Sequence, residues 1–124
     1  MRNLIPVALL ALAACTVSVT KEEIAAARFG APPKNVERSI RSILASRIDA
    51  GSAKYRILAP AKGFAMVNGK RFGWIVKAYI NAKNNKGEYI GELTYYFLFA
   101  DGKSWDVTDG YNLGRARFIE PPKE

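Results

Sequence analysis

The run Arg71-Phe72-Gly73-Trp74-Ile75-Val76-Lys77-Ala78-Tyr79-Ile80-Asn81-Ala82-Lys83, then Asn84-Asn85-Lys86-Gly87, then Glu88-Tyr89-Ile90-Gly91-Glu92-Leu93-Thr94-Tyr95-Tyr96-Phe97-Leu98-Phe99-Ala100, decides the fold. Both flanks are rich in β-branched and aromatic residues, and the middle is polar and turn-forming, so they predict two long antiparallel strands. A four-residue loop at 84–87 sets Ala82 against Tyr89, Ala78 against Leu93, Val76 against Tyr95, Trp74 against Phe97 and Phe72 against Phe99, all on one face. The opposite face carries Lys77, Tyr79 and Asn81 against Glu92 and Thr94. One face is therefore expected to be core and the other mixed.

Outward from this pair the chain continues as a meander. Lys54–Ala59 and Gly63–Val67 read as shorter strands, with Pro60 restricting the first to an edge or an ending and Asn68-Gly69 marking a hairpin turn. Lys103–Thr108 follows Asp101-Gly102, and Tyr111–Ile119 adds a further strand. After Ala100 two registers compete. A two-residue turn at Asp101-Gly102 puts Trp105 beside Leu98 on the mixed face. A three-residue loop with Gly102 in a bulge puts Trp105 opposite Phe97 on the core face. The second is expected, because burying Trp105 removes apolar surface from water at about 25 cal/mol per Å².

Before the strands, Lys34–Asp49 predicts a helix. Val36, Ile40, Ile43 and Leu44 form one apolar arc, Ile48 flanks it, and Gly51 suits a C-terminal cap. Arg47 projects near the arc and needs water or an acidic partner. The expected class is α+β: one main amphipathic helix packed on a four- to six-stranded antiparallel meander. Residues 15–33 read either as a tether with a short helix opened by the capping box Thr20-Lys21-Glu22-Glu23 and stopped near Gly30, or equally as a disordered leash, 34–119 as a single domain, and 120–124 as a flexible end.

The N-terminus carries the most specific motif. Met1-Arg2-Asn3 is a short basic start, and the 11 residues Leu4–Ala14 bear no charge, the length of a signal-peptide core and about half that of a membrane-spanning helix. Leu12-Ala13-Ala14-Cys15 resembles the lipobox of bacterial lipoproteins. The resemblance implies removal of residues 1–14, a diacylglycerol on the Cys15 thiol and acylation of its amine. Thr16, where lipoproteins kept in the inner membrane usually have Asp, implies the outer membrane. The stretch Phe29–Asp109 is also similar to a group of small proteobacterial lipoproteins of uncharacterised function. That likeness rests on Gly30-Ala31-Pro32-Pro33-Lys34-Asn35, Ser52-Ala53-Lys54-Tyr55-Arg56, Phe72-Gly73-Trp74, Asn81-Ala82-Lys83-Asn84 and Tyr95-Tyr96-Phe97. It supports the class and implies no activity.

Composition narrows the chemistry. The single Cys excludes an intrachain disulfide, and the absence of His removes imidazole bases, His-dependent triads and His metal sites. Glu88 and Glu92 share a strand face but sit in no apolar setting that would raise a carboxyl pKa. The glycines form no phosphate-binding fingerprint. No cofactor and no enzyme activity are expected. Without Arg2 the exported part has 18 basic and 11 acidic residues, a net charge of +7, which suits an anionic partner or simply a solvated surface.

The candidate contact residues are Lys34, Arg38 and Arg41, a basic stripe on the outer face of the helix, and Lys77, Tyr79 and Tyr96 on the mixed face of the sheet. Most aromatics alternate onto the core face, which argues against a nucleic-acid platform. The expected role is a non-catalytic binding module for an envelope protein or an anionic polymer. A structural accessory of an envelope machine and an inhibitor of a host or cell-wall enzyme are the alternatives. A basic domain would be repelled by a basic lysozyme.

Overall fold

A computed structural model describes residues 17–124. The expected signal segment 1–14 and the expected lipidation residue Cys15 lie outside the described residues. The elements are α1 (Lys21–Ala26), α2 (Val36–Leu44), β1 (Lys54–Ile57), β2 (Ala61–Met66), β3 (Lys70–Lys83), β4 (Tyr89–Ala100), β5 (Lys103–Asp106), α3 (Thr108–Asn112) and β6 (Ala116–Phe118). The class is α+β. The six strands form one antiparallel sheet in the order β5-β4-β3-β2-β6, and β1 shares with β2 the same edge of the long β3. No described helix is long and apolar enough to cross a membrane.

Both faces of the sheet are packed. Val76, Ala78, Ile80, Ala82, Phe97 and Phe99 meet Ile40 and Leu44 of α2 in one core. Ala65, Ile75, Tyr96, Leu98, Ala100, Val107 and Ala116 form a second core on the other side, flanked by Trp105, Tyr111 and Phe118. The face expected to be mixed is thus apolar over its middle. Its cover is α3, in the stretch expected to be strand. Gly110 and Gly114, the latter at φ +77, let residues 108–115 coil before β6 starts.

The helix expected over Lys34–Asp49 is shorter, Val36–Leu44, and is one of three short helices rather than a single main one. α2 ends at Leu44, whose carbonyl accepts from both Arg47 and Ile48 N–H groups. The chain then folds back because the Ala50 carbonyl is taken by Arg41 Nη1 at 2.8 Å and Tyr55 Oη at 2.8 Å. Gly51 has no left-handed backbone and is not a helix cap. Arg47 does find its acid: Asp106, half-buried, lies 2.9 Å away.

The register of β3 with β4 differs from the expected one by two residues. Asn84 N–H donates to the Glu88 carbonyl, so the loop has three residues, with Gly87 at φ +80. A bulge then sets Ile90 and Gly91 against Ala82 alone, with Gly91 at φ +101 and its N–H on Asn81 Oδ1. Each change slips β4 by one, and together they restore the faces. Val76 therefore meets Phe97, Ala78 meets Tyr95 and Trp74 meets Phe99. Tyr89, before the bulge, pairs with Lys83 and leaves the core, 40% exposed.

The β4–β5 connection also corrects the expectation. Asp101 and Gly102 both have positive φ, at 55° and 73°, and make a two-residue turn that pairs Leu98 with Trp105. This mirror-image turn follows the natural twist of paired strands. Trp105 is half-buried there, packed against the second core with the Arg71 guanidinium 5.1 Å over its ring.

Candidate functional site: a basic cleft beside the N-terminal strap

The segment after residue 16, expected as a tether, is bound to the body. Val17 N–H donates to the Gly114 carbonyl at 3.1 Å. The capping box forms as the sequence implies, with Thr20 and Glu23 each bonding the other's backbone N–H. Glu23 reaches Lys70 at 3.0 Å, which also holds the Ser18 carbonyl. Phe29 sets its ring edge-on to Phe72, and the Trp74 indole N–H is shared by the Phe29 and Gly30 carbonyls. Residues 17–30 are a strap across one end of the sheet.

That strap has a pH-sensitive clasp. The Lys70 ammonium, helped by the Thr20 N–H, holds the Glu23 carboxyl below its usual range. A carboxyl depressed in the folded state stabilises above its unfolded value and stops doing so as pH falls through the depressed one. Hydrogen exchange of the backbone amides of residues 17–30, corrected for its intrinsic pH dependence, is therefore expected to quicken as pH falls below the ordinary glutamate range while the body stays folded, as read by circular dichroism. Glu23→Gln should quicken it at neutral pH and flatten the pH dependence.

Between the strap and the β4–β5 turn lies a half-open cleft of about 470 Å³. Arg28, Phe29, Gly30, Ala31, Pro33 and Lys34 form one wall, Asp101, Gly102, Lys103 and Ser104 the other, and Trp74, Phe99 and Ser39 line the remainder. Its three cations, Arg28, Lys34 and Lys103, make no ion pair among the described residues. Its one carboxylate, Asp101, is already matched by Arg71 at 3.0 Å. The cleft therefore offers net positive charge over a partly apolar wall, suited to a phosphate or carboxylate group carried on a larger body.

The residues nominated from the sequence are dispersed. Lys34 is exposed and lines the cleft, and Arg38 is exposed outside it. Arg41 is not a free stripe residue: Glu37, one turn earlier, pairs with it at 3.0 Å, and its guanidinium stacks 4.4 Å from the Tyr55 ring. Lys77 and Tyr79 lie with Arg56 and Glu92 on the second face towards the β3–β4 tip. There Arg56 sits 4.0 Å over the Tyr79 ring and pairs with Glu92 at 3.0 Å. The Tyr79 hydroxyl raises the Lys77 pKa. Tyr96 is buried and stacked on Tyr111 at 3.6 Å, and burial pushes its phenol pKa up, so it serves the core and presents no contact surface. The Arg56 guanidinium holds Glu92 below the usual carboxylate range, the reverse of what a general acid needs.

Arg28 and Lys103 are the cleft residues the sequence reading missed. The choice of the two-residue Asp101-Gly102 turn would have placed Lys103 at a sheet corner, but nothing local to Arg28 links it to that corner. No family model, no curated protein and no solved structure matches the chain.

Proposed function

We propose that this chain is an outer-membrane lipoprotein anchored through Cys15, and that its domain is a non-catalytic binding module for an anionic polymer of the cell envelope. The observation that carries the binding role is the cleft with three unmatched cations at its rim and its only carboxylate already neutralised. Leu12-Ala13-Ala14-Cys15 supports the anchor. Phosphates of lipopolysaccharide and carboxylates of wall polymers have the required charge.

Lys34→Glu with Lys103→Glu tests the reading. Both side chains are exposed and make no ion pair among the described residues, so the fold is expected to persist. Binding to purified lipopolysaccharide, followed by fluorescence anisotropy, is expected to weaken on the order of tenfold at low salt, as for reversed charges across an interface. For the unaltered protein it should fall with added salt. Equal binding by the folded variant would remove the cleft from the function.

A second reading has its own observation. β5 pairs with β4 only from Phe97 to Ala100, so among the described residues the outer edge of Tyr89–Tyr95 has no strand beside it. Ile90 and Leu93 on that arm are 57% and 52% exposed. An open edge with apolar side chains favours a protein that adds a strand, as expected of an accessory subunit of an envelope machine or an enzyme inhibitor. Salt separates the two readings, since a strand-paired interface is far less screened than a polyanion complex.

A further inference from the structure

We infer that the end of the sheet where the strap begins is a membrane-resting face, seated on the bilayer that holds the Cys15 lipid; this rests on the lipoprotein reading above. Cys15 precedes Val17 by two residues, a reach of at most about 7 Å of extended chain, and Val17 N–H is bonded to the Gly114 carbonyl. With the acyl chains in the bilayer, no long leash separates the lipid from the body. Gly114 and its surroundings must lie at the headgroups.

The surface there has the composition such a position needs. Leu113, next to Gly114, is 66% exposed, the most exposed of the large apolar side chains among the described residues. The Arg115 carbonyl accepts from the N–H of Met66, which is 36% exposed. Arg115 and Arg117 are exposed and make no ion pair among the described residues. Exposed apolar residues and arginines gathered where β2 ends and β6 begins suit the headgroup boundary, where apolar side chains dip towards the acyl region and cations meet lipid phosphates. Asp109 is the neighbouring carboxylate on the same turn. The basic cleft lies towards the β5 side of the sheet and this face towards β6, so the two use different surfaces. The far tip, Asn84–Gly87, stands beyond the 14 residues of β3, about 40 Å away at roughly 3.3 Å per residue.

The test uses the full chain matured in a Gram-negative host, fed a radioactive fatty acid and reconstituted in vesicles of phosphatidylethanolamine and phosphatidylglycerol. With the Cys15 thiol alkylated by lipid, Leu113→Cys or Asn85→Cys supplies the one reactive thiol for an environment-sensitive fluorophore. A lipid carrying a quencher near the headgroup is expected to quench the Leu113→Cys label several-fold more than the Asn85→Cys label. Equal quenching in fatty-acid-labelled protein, or stronger quenching at Asn85→Cys, overturns the membrane-resting face while leaving the lipoprotein reading intact. Protein without fatty-acid label overturns the lipoprotein reading itself, and the orientation with it.

Discussion

Cys15→Ser is expected to abolish lipidation and to leave an unprocessed or misprocessed precursor. The reading rests on Leu12-Ala13-Ala14-Cys15 at the end of an uncharged 11-residue segment too short to span a bilayer. Serine keeps the size of the side chain but lacks the thiolate that attacks the diacylglycerol donor. Each buried CH₂ contributes about 0.8 kcal/mol, so a diacylglycerol plus an amide-linked chain makes anchoring stable, whereas one myristoyl chain alone holds a protein only with an affinity of about 10⁴ M⁻¹. The cations of the membrane-resting face cannot replace that. Fractionation after fatty-acid labelling checks it: the wild type should carry label and sediment with membranes, and the variant should be unlabelled and retain its leader. Label on the serine variant would mean that another residue is the acceptor.

Gly73→Val is expected to destabilise the domain by roughly 3–5 kcal/mol, at the large end for single substitutions, and so to leave little of the 5–15 kcal/mol typical of small domains. A Cβ at Gly73 would stand 2.4 Å from the Phe99 carbonyl oxygen and 2.8 Å from the Ala100 Cβ. These are atoms of the paired strand, which cannot rotate away, so β3 and β4 would have to separate at the Trp74–Phe99 end of their ladder, where Phe99 and Ala100 each belong to a core. Relief by side-chain repacking, the usual route for overpacked sites, is closed. Gly51→Ala is the control. Its Cβ meets nothing closer than Asp49 Oδ1 at 4.0 Å and its backbone is not left-handed, so its effect should stay within about 0.5 kcal/mol. Urea denaturation of the two variants distinguishes them by midpoint. A midpoint for Gly73→Val near that of wild type would mean that the strands part locally at low cost.

The α+β class and the long hairpin were legible because alternation is a local property. Residues two apart share a face whatever lies opposite, so Val76, Ala78, Ile80 and Phe97 could be assigned to a core without knowing their partners. The capping box was equally local, four consecutive residues satisfying one another. Register was not legible. A shift of two residues preserves every face, and the shift arose from a three-residue loop and the Gly91 bulge, whose separate slips cancel in the alternation. Trp105 shows the limit of an area argument: it favoured the helix-covered face only while that face was the sole core in view.

What the sequence by itself determined, then, is that the two long stretches pair as a hairpin, which of its faces is core, and, within these 124 residues, the lack of imidazole groups and of a Cys pair; each depends on residue type and short spacing alone. The second core, the early end of α2 at Leu44, the strap and the cleft were decided by tertiary structure. Arg28 and Lys103 stand 75 positions apart, and they share a cleft only because Trp74 holds the strap carbonyls while the Asp101-Gly102 turn brings Lys103 to the same corner. Arg41 and Tyr96, alike in the sequence to free surface groups, were withdrawn by Glu37, Ala50 and Tyr111. Charge and aromaticity are properties of a residue, but whether they remain available to a partner depends on which neighbours the fold brings within about 4 Å.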